Sequence, residues 1–342
     1  MSISLTIAVP CYNSEEYMRT SIDSLLWDWA PDVEVVIVND GSKDGTARIA
    51  DEYAQRYPDR VRVVHKVNGG HGSAINAGLE VARGAYFKVL DSDDWLDEGA
   101  FRRTLDLIRG WIANESAVDL LITNFVYEKQ GKRNKQSVNY RRALPRSRTL
   151  GWHQVRSFLP WQYMLMHSMI YRTELLRECQ LQVPEHSFYV DNYFAFVPLP
   201  HVQSLYYLDV DLYRYFIGRD DQSVNEKVMI SRIDQQININ LLLVEALSQA
   251  RNVGLPYRLE RYMIDYVNLI STVSSTLLVR EGSDAAMRKK SELWQAIESI
   301  DAELSLEMRA RALGKIVSAE GTASERTIRA GYHVSRLVVG FN

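Results

Sequence analysis

The chain has 342 residues, 46% of them hydrophobic and 24% charged, with a formal net charge of -3. This composition excludes a disordered or fibrous chain, and the balance of 40 basic against 43 acidic residues gives no support for a sequence-independent nucleic-acid binder. Two cysteines, Cys11 and Cys179, rule out a disulfide scaffold or a cysteine-based zinc cluster and fit a reducing, cytoplasmic setting. Pro10 interrupts the N-terminal apolar run, so no secretory signal is read there, and no segment approaches the roughly 18 consecutive apolar residues of a spanning helix.

Short β-branched runs alternate with longer amphipathic stretches over the first 125 residues, the pattern of a parallel sheet covered by helices in a doubly wound α/β architecture. The runs predict strands at Leu5 to Val9, Val33 to Asn39, Val61 to His65, Ala85 to Leu90 and Asp119 to Asn124. Helical spacing covers Ser14 to Trp27, Asp44 to Tyr57, Gly72 to Arg83 and Gly99 to Ile112, with Ser14 and Asp44 as N-caps.

In such sheets ligands sit at the carboxyl ends of the strands. The fourth predicted strand runs into Asp91-Ser92-Asp93-Asp94, three carboxylates in four residues that repel one another unless a cation sits among them. Oxygen ligands beside a nucleotide site suit Mg²⁺ or Mn²⁺. The competing reading makes Asp93 or Asp94 the cap of a helix beginning near Leu96, and the tetrad alone does not choose. At the second strand's exit, Asp40 suits a base N–H or a ribose hydroxyl, or else shapes an Asx-turn. Asn68-Gly69-Gly70-His71-Gly72 precedes a helix and could bring N–H groups to an anion, but Ile75 stands where a dinucleotide fingerprint wants its third glycine.

Tyr127 to Arg148 reads as a polar hairpin around Gly131, with eight Lys or Arg against Glu128 alone; a solvated hairpin is favoured over a site for an anionic acceptor. A mixed apolar stretch after Pro160, the segment His186 to Phe196 and a tyrosine-rich pair of short strands ending near Ile217 follow. His153, His167, His186 and His201 have no metal-ligand spacing and are assigned to core or surface. Beyond Glu226 the chain reads as helix, broken near Asn252 to Pro256, Glu281 to Ser283 and Gly314 to Thr322. In the tail, Arg326, Arg329, His333 and Arg336 share one helical arc. Such a basic helix can lie on an anionic membrane, and an ordinary helix packed on the C-terminal bundle is the better supported reading.

Taken together, Val9-Pro10-Cys11-Tyr12-Asn13, Val36 to Thr46, Asn68 to Gly78 and Gly84 to Trp95 resemble, in order, the family 2 glycosyltransferases of GT-A fold, a Rossmann-like nucleotide-diphospho-sugar transferase architecture. The resemblance implies a catalytic domain over 1–225, with a nucleotide-sugar half to 125 and an acceptor half from 126, then a mainly helical region over 226–342 that shapes the acceptor site or forms a homo-oligomer contact. It implies an inverting, metal-dependent transferase moving sugar from a UDP-sugar to a glycan or lipid-linked acceptor in cell-surface polysaccharide synthesis. Donor contacts fall on Pro10, Tyr12, Asn13, Asp40, Lys66, His71, Asp91 and Ser92, and metal ligands on Asp91 and Asp93. Ile75 replaces an arginine that many relatives carry near the phosphates, with Lys66 or His71 as substitutes. Phe188 to Tyr193 resembles the family's Glu-Asp region with Val190 in place of the glutamate, which makes Asp191 the base. Arg219 to Ser223 resembles the segment that covers the donor. Two rivals stand beside this reading: a sugar-phosphate nucleotidyltransferase, and a nucleotide-sugar or glycan binding protein without turnover.

Overall fold

The computed structural model describes residues 2–129, 135–159, 162–218 and 225–339, with the backbone alone for 333–339. The chain divides into two compact units, Met1–Arg156 with Met164–Gly218, and Ser157–Tyr163 with Arg219–Asn342.

The first unit opens with β1 (Leu5–Cys11), α1 (Met18–Asp23), β2 (Val33–Asp40), α2 (Thr46–Arg56), β3 (Val61–Lys66), α3 (His71–Val81) and β4 (Tyr86–Val89). Then come β5 (Trp95–Leu96), α4 (Glu98–Ala113), β6 (Leu120–Lys129), β7 (Gln136–Val138), β8 (Thr149–Leu150), β9 (Met169–Arg172), α5 (Thr173–Glu178), α6 (Val190–Phe196) and β10 (Leu205–Ile217). All residues of β1 and β2 are buried, as continuous apolar runs are when helices cover both faces of a parallel sheet. The sheet order is β3-β2-β1-β4-β9-β6-β10-β5, with β7 on β6 and β8 on β10. Pairing is parallel from β3 through β4, and β9 is antiparallel to both β4 and β6. The exits of β1, β2 and β4 therefore open on one edge of the sheet.

α4 is fixed by its own sequence. Asp97 accepts from the Ala100 N–H as N-cap, and Phe101, Leu105, Ile108 and Trp111 turn inward at helical spacing. Neither Asp93 nor Asp94 caps this helix, which corrects that competing reading. The expected caps Ser14 and Asp44 are also corrected. Tyr17 precedes α1, and the Ser14 hydroxyl, which accepts from the Tyr12 N–H and bonds to Ser92, caps no helix. Gly45 precedes α2, and Asp44 accepts from the Thr46 N–H without occupying the cap. The tyrosine-rich pair of strands is one 13-residue strand, β10, whose register against β6 slips between Tyr207 and Tyr213. β6 and β7 form the expected hairpin; Gly131 lies outside the described residues. Its cations Lys135, Arg141 and Arg146 pair with Glu128 and Asp209, which favours the solvated reading.

The second unit contains α7 (Glu226–Ser231), α8 (Ile233–Val253), α9 (Tyr257–Glu281), α10 (Asp284–Ile300), α11 (Ala302–Ala310), α12 (Ala312–Ser318) and α13 (Thr322–Val339). Leu243, Leu247, Met263, Val267, Leu293, Trp294 and Met308 are buried in it. Phe158 and Tyr163 pack on Tyr262 and Tyr266 of α9, with ring centroids 4.6 and 5.0 Å apart, which brings the short Ser157–Tyr163 segment into this unit. Extra helix breaks occur at Asp301, which caps α11, and at Arg311. On α13, Ile328 is buried and the Tyr332 hydroxyl donates to Glu226 (2.9 Å) with Arg280 over its ring, which favours the packed-helix reading of the tail. The side chains of His333 and Arg336 lie outside the described residues. No described helix is long and apolar enough to cross a membrane.

Candidate active site

The exit of β4 gathers most of the chemistry. Asp91 is half-buried; its Oδ1 accepts from His71 Nε2 at 2.9 Å and its Oδ2 lies 3.6 Å from His167 Nε2. His71 stands at the first turn of α3, and His167 in the turn Met166–Ser168 before β9. Burial acts to raise the Asp91 pKa, but the charge of His71 and the hydrogen bonds of both histidines hold it well below the usual carboxylate range. For His71, burial works against the charged ring, yet Asp91, then Asp191 and Asp93, raise its pKa.

Asp94 is a different acid. It is fully buried, accepts the Tyr213 hydroxyl (2.6 Å) and the Phe216 N–H (2.8 Å), and so ties β10 to the tetrad. Burial, then the charges of Asp93 and Asp91, push its pKa well up. Asp93 is half-buried between the two, and Ser92 shares a 2.8 Å hydrogen bond with Ser14.

Asp191 lies in the first turn of α6 behind Tyr189, whose φ is 65°. Its hydrogen-bond partner is the Asn192 amide at 3.3 Å, so it is not the helix cap. Burial raises its pKa against the pull of His167 and His71, and Asp91 raises it further, so all four groups share one electrostatic neighbourhood. Val190 is buried in the core.

The glycine-rich stretch serves a purpose that the sequence left open. Asp40 is buried, and its two oxygens accept the N–H groups of Gly69 (2.9 Å) and Gly70 (2.7 Å) and the ammonium of Lys66 (2.8 Å). The anion at these amides is the protein's own carboxylate, which removes the dinucleotide reading of the segment. The Asx side chain that shapes the turn after β2 is Asn39, accepting from the Ser42 N–H, rather than Asp40. The Gly69 carbonyl accepts from the His186 N–H (2.6 Å), and Ser73 donates to Glu185 (2.7 Å). A Cβ on Gly72 would stand 2.1 Å from the Pro184 carbonyl oxygen, so only glycine lets α3 approach the chain that leads to Asp191.

Of the expected donor residues, Tyr12 is an exposed aromatic at the exit of β1, where Asn13 accepts from the Lys43 N–H and Pro10 is buried in the strand. Lys66 is engaged by Asp40, and His71, whose pKa Asp91 raises, stands beside the tetrad; Ile75 is fully buried. The structure corrects the assignment of His167 to plain core: it faces Asp91, packs against Tyr213 and Tyr215, and its buried Nδ1 has no hydrogen-bond partner among the described residues. No spacing in the sequence signals this. The covering segment Arg219 to Ser223 lies outside the described residues.

The mixed sheet, a doubly wound parallel half joined through β9 to a second half and carrying carboxylates at the exit of β4, is the GT-A fold of nucleotide-sugar transferases. Residues 6–174 match the family described as Glycosyl transferase family 2, and the chain carries a domain of that family. It is 31% identical over 218 residues to the uncharacterized glycosyltransferase EpsJ of Bacillus subtilis (strain 168), a match spanning 62% of this chain and 60% of EpsJ. Among solved structures, S. aureus TarS 1-349 in complex with UDP-GlcNAc superposes with a TM-score of 0.65 at 19% identity, covering 97% of this chain and 92% of that one. The mannosyltransferase PcManGT from Pyrobaculum calidifontis, in complex with GDP-Man and Mn²⁺, gives a TM-score of 0.52 at 16% identity, over 97% and 86%.

Proposed function

We propose that the chain is an inverting, metal-dependent glycosyltransferase that moves a sugar from a UDP-sugar to a hydroxyl of a glycan or lipid-linked acceptor in polysaccharide synthesis. The observation that carries this reading is the gathering of Asp91, Asp93 and Asp94 at one strand exit with Asp191 in the same electrostatic field. Burial, then the charges of neighbouring acids, raise the pKa of Asp94 and, against the pull of the histidines, of Asp191, and a divalent ion relieves the repulsive part of that environment. Asp91 and Asp93 would hold such an ion as oxygen donors; Asp91, Asp94 and His167 each bring a ligand atom within 4.8 Å of the others, Asp94 with its oxygens already bonded to Tyr213 and Phe216. Mn²⁺ or Mg²⁺ bound there would neutralise the leaving diphosphate.

The chain's own groups supply the rest. Tyr12, Asn13 and Ser92 border the space for base and ribose, beside the turn that Asp40 and Lys66 stiffen. His71 places positive charge at the start of α3, on the side where the diphosphate departs. Asp191, whose raised pKa makes it a stronger base once ionised, takes the proton of the acceptor hydroxyl as it attacks the anomeric carbon from the opposite side. The complexes of two structural neighbours, TarS 1-349 with UDP-GlcNAc and PcManGT with GDP-Man and Mn²⁺, support a nucleotide-sugar donor and a divalent ion.

The test incubates the full chain with UDP-glucose, UDP-GlcNAc and GDP-mannose in the presence of Mn²⁺, Mg²⁺ or chelator and follows the released nucleotide. Metal-dependent release of nucleoside diphosphate from a UDP-sugar is expected. Pyrophosphate release from a nucleoside triphosphate and sugar phosphate would establish the nucleotidyltransferase instead, and saturable binding without release at any metal concentration would establish a binding protein. A cytoplasmic setting belongs to the same proposal, with the tail packed within its own unit; vesicle sedimentation by the full chain that a chain ending at Thr322 lacks would instead give the tail a membrane contact.

A further inference from the structure

Lys88 is the third residue of β4, a strand whose residues are all buried, and none of its surface is exposed. A buried ammonium needs partners, yet Lys88 has no carboxylate at ion-pair distance among the described residues. Its Nζ donates to the main-chain carbonyls of His167 (2.8 Å) and Met169 (3.5 Å) and lies 5.0 Å from the centre of the Tyr213 ring. The β4–β9 ladder ends at Phe87 and Tyr171, so strand pairing with β4 does not reach those carbonyls and the lysine supplies the donor. The His167 ring meets Tyr213 edge-on at 4.9 Å, and the Tyr213 hydroxyl holds both Asp94 and the Asp91 N–H.

We infer that Lys88 is a positioning residue of the donor site, its amine fixing the His167 turn and the Tyr213 ring around Asp91 and Asp94; this rests on reading Asp91 as a donor-site residue. One buried nitrogen touches the backbone that presents the histidine and the ring that carries the hydroxyl, so both side chains share one anchor. Burial pushes the Lys88 pKa down to about 7, against the pull of Asp91, and an amine in either protonation state keeps N–H groups for the carbonyls.

The test reads the histidine rings of the full chain, labelled at histidine nitrogen, by proton–nitrogen correlation spectra without donor, with the His167 signals identified by their loss in His167→Gln. In Lys88→Met the His167 signals are expected to move while those of His65, on the far side of β1 and β2, keep their wild-type positions. Turnover is expected to fall by about tenfold to 10²-fold, the scale on which a displacement of about 1 Å acts. Circular dichroism establishes that each variant is folded; where Lys88→Met is not, Lys88→Leu, which likewise carries no N–H group, is read in the same way. A folded variant with wild-type His167 signals overturns the inference, whatever its turnover. Because the rings are read without donor, that outcome is separate from a wild-type chain that turns over no nucleotide sugar, which would overturn the donor reading itself.

Discussion

The Tyr213 hydroxyl bridges the two ends of the acidic tetrad: it donates to Asp94 Oδ2 at 2.6 Å and accepts from the Asp91 N–H at 3.2 Å. A residue of β10 thereby holds the geometry of a loop that leaves β4, although the two strands are not neighbours in the sheet. Burial, then the charges of Asp91 and Asp94, push the Tyr213 pKa well up, so the phenol stays a donor. Tyr213→Phe leaves a buried carboxyl without that donor and should cost about 1–3 kcal/mol of stability. Denaturant melts give that figure, and calorimetric titration of UDP with Mn²⁺ should show weaker binding; unchanged affinity would separate Asp94 from the donor site.

Asp191→Asn keeps the shape of the side chain and removes its basicity. Donor binding should persist while turnover falls by roughly 10²-fold or more, the contribution of a positioned general base. Near-normal turnover would reassign Asp191 to a structural role in α6.

Gly72→Ala places a methyl group where the Pro184 carbonyl oxygen now lies. Backbone has to move on one side or the other, so a loss of about 1–3 kcal/mol, the usual range for overpacking, is expected. Activity should fall further than stability alone predicts, because the displaced segment leads to Asp191; thermal melts set beside donor hydrolysis rates measure both.

Lys88 gives a pH signature. Its folded value of about 7 lies below the ordinary lysine value of 10.5, so between the two the unfolded chain binds more protons than the folded one. Stability contributed by this group therefore rises with pH across that window, and below about 7 the penalty for burying the charge is present in full. The difference in melting temperature between wild type and Lys88→Met should grow in favour of wild type from pH 7 to pH 9 (about two units of the window); a flat or falling difference contradicts the lowered value.

The parallel half of the sheet was legible because β1 and β2 are apolar, largely β-branched runs buried on both faces and β3 keeps three valines, each run ending in a polar exit that the fold brings to one edge. The position of Asp91 and Asp93 at a strand exit was readable for the same reason: acids that closely follow a buried strand have few other places to be. His167 was not, since it reaches Asp91 from a turn far along the chain and no local pattern records that meeting. Asp40 was found but not understood, because the amides that claim it lie beyond the next helix and strand. Lys88 did leave a trace: a lysine amid Tyr86, Phe87, Val89 and Leu90, in a strand covered on both faces, must find polar company inside the protein.

Asp40 grips Gly69 and Gly70, and the Gly69 carbonyl grips His186, five positions ahead of Asp191 on the same strand of backbone. A substitution at Asp40 releases Gly69 and Gly70 and so slackens the wall that carries Asp191. On the proposed reading, donor choice and catalytic speed are coupled through that wall, and libraries that vary Asp40 should vary 183–187 alongside it.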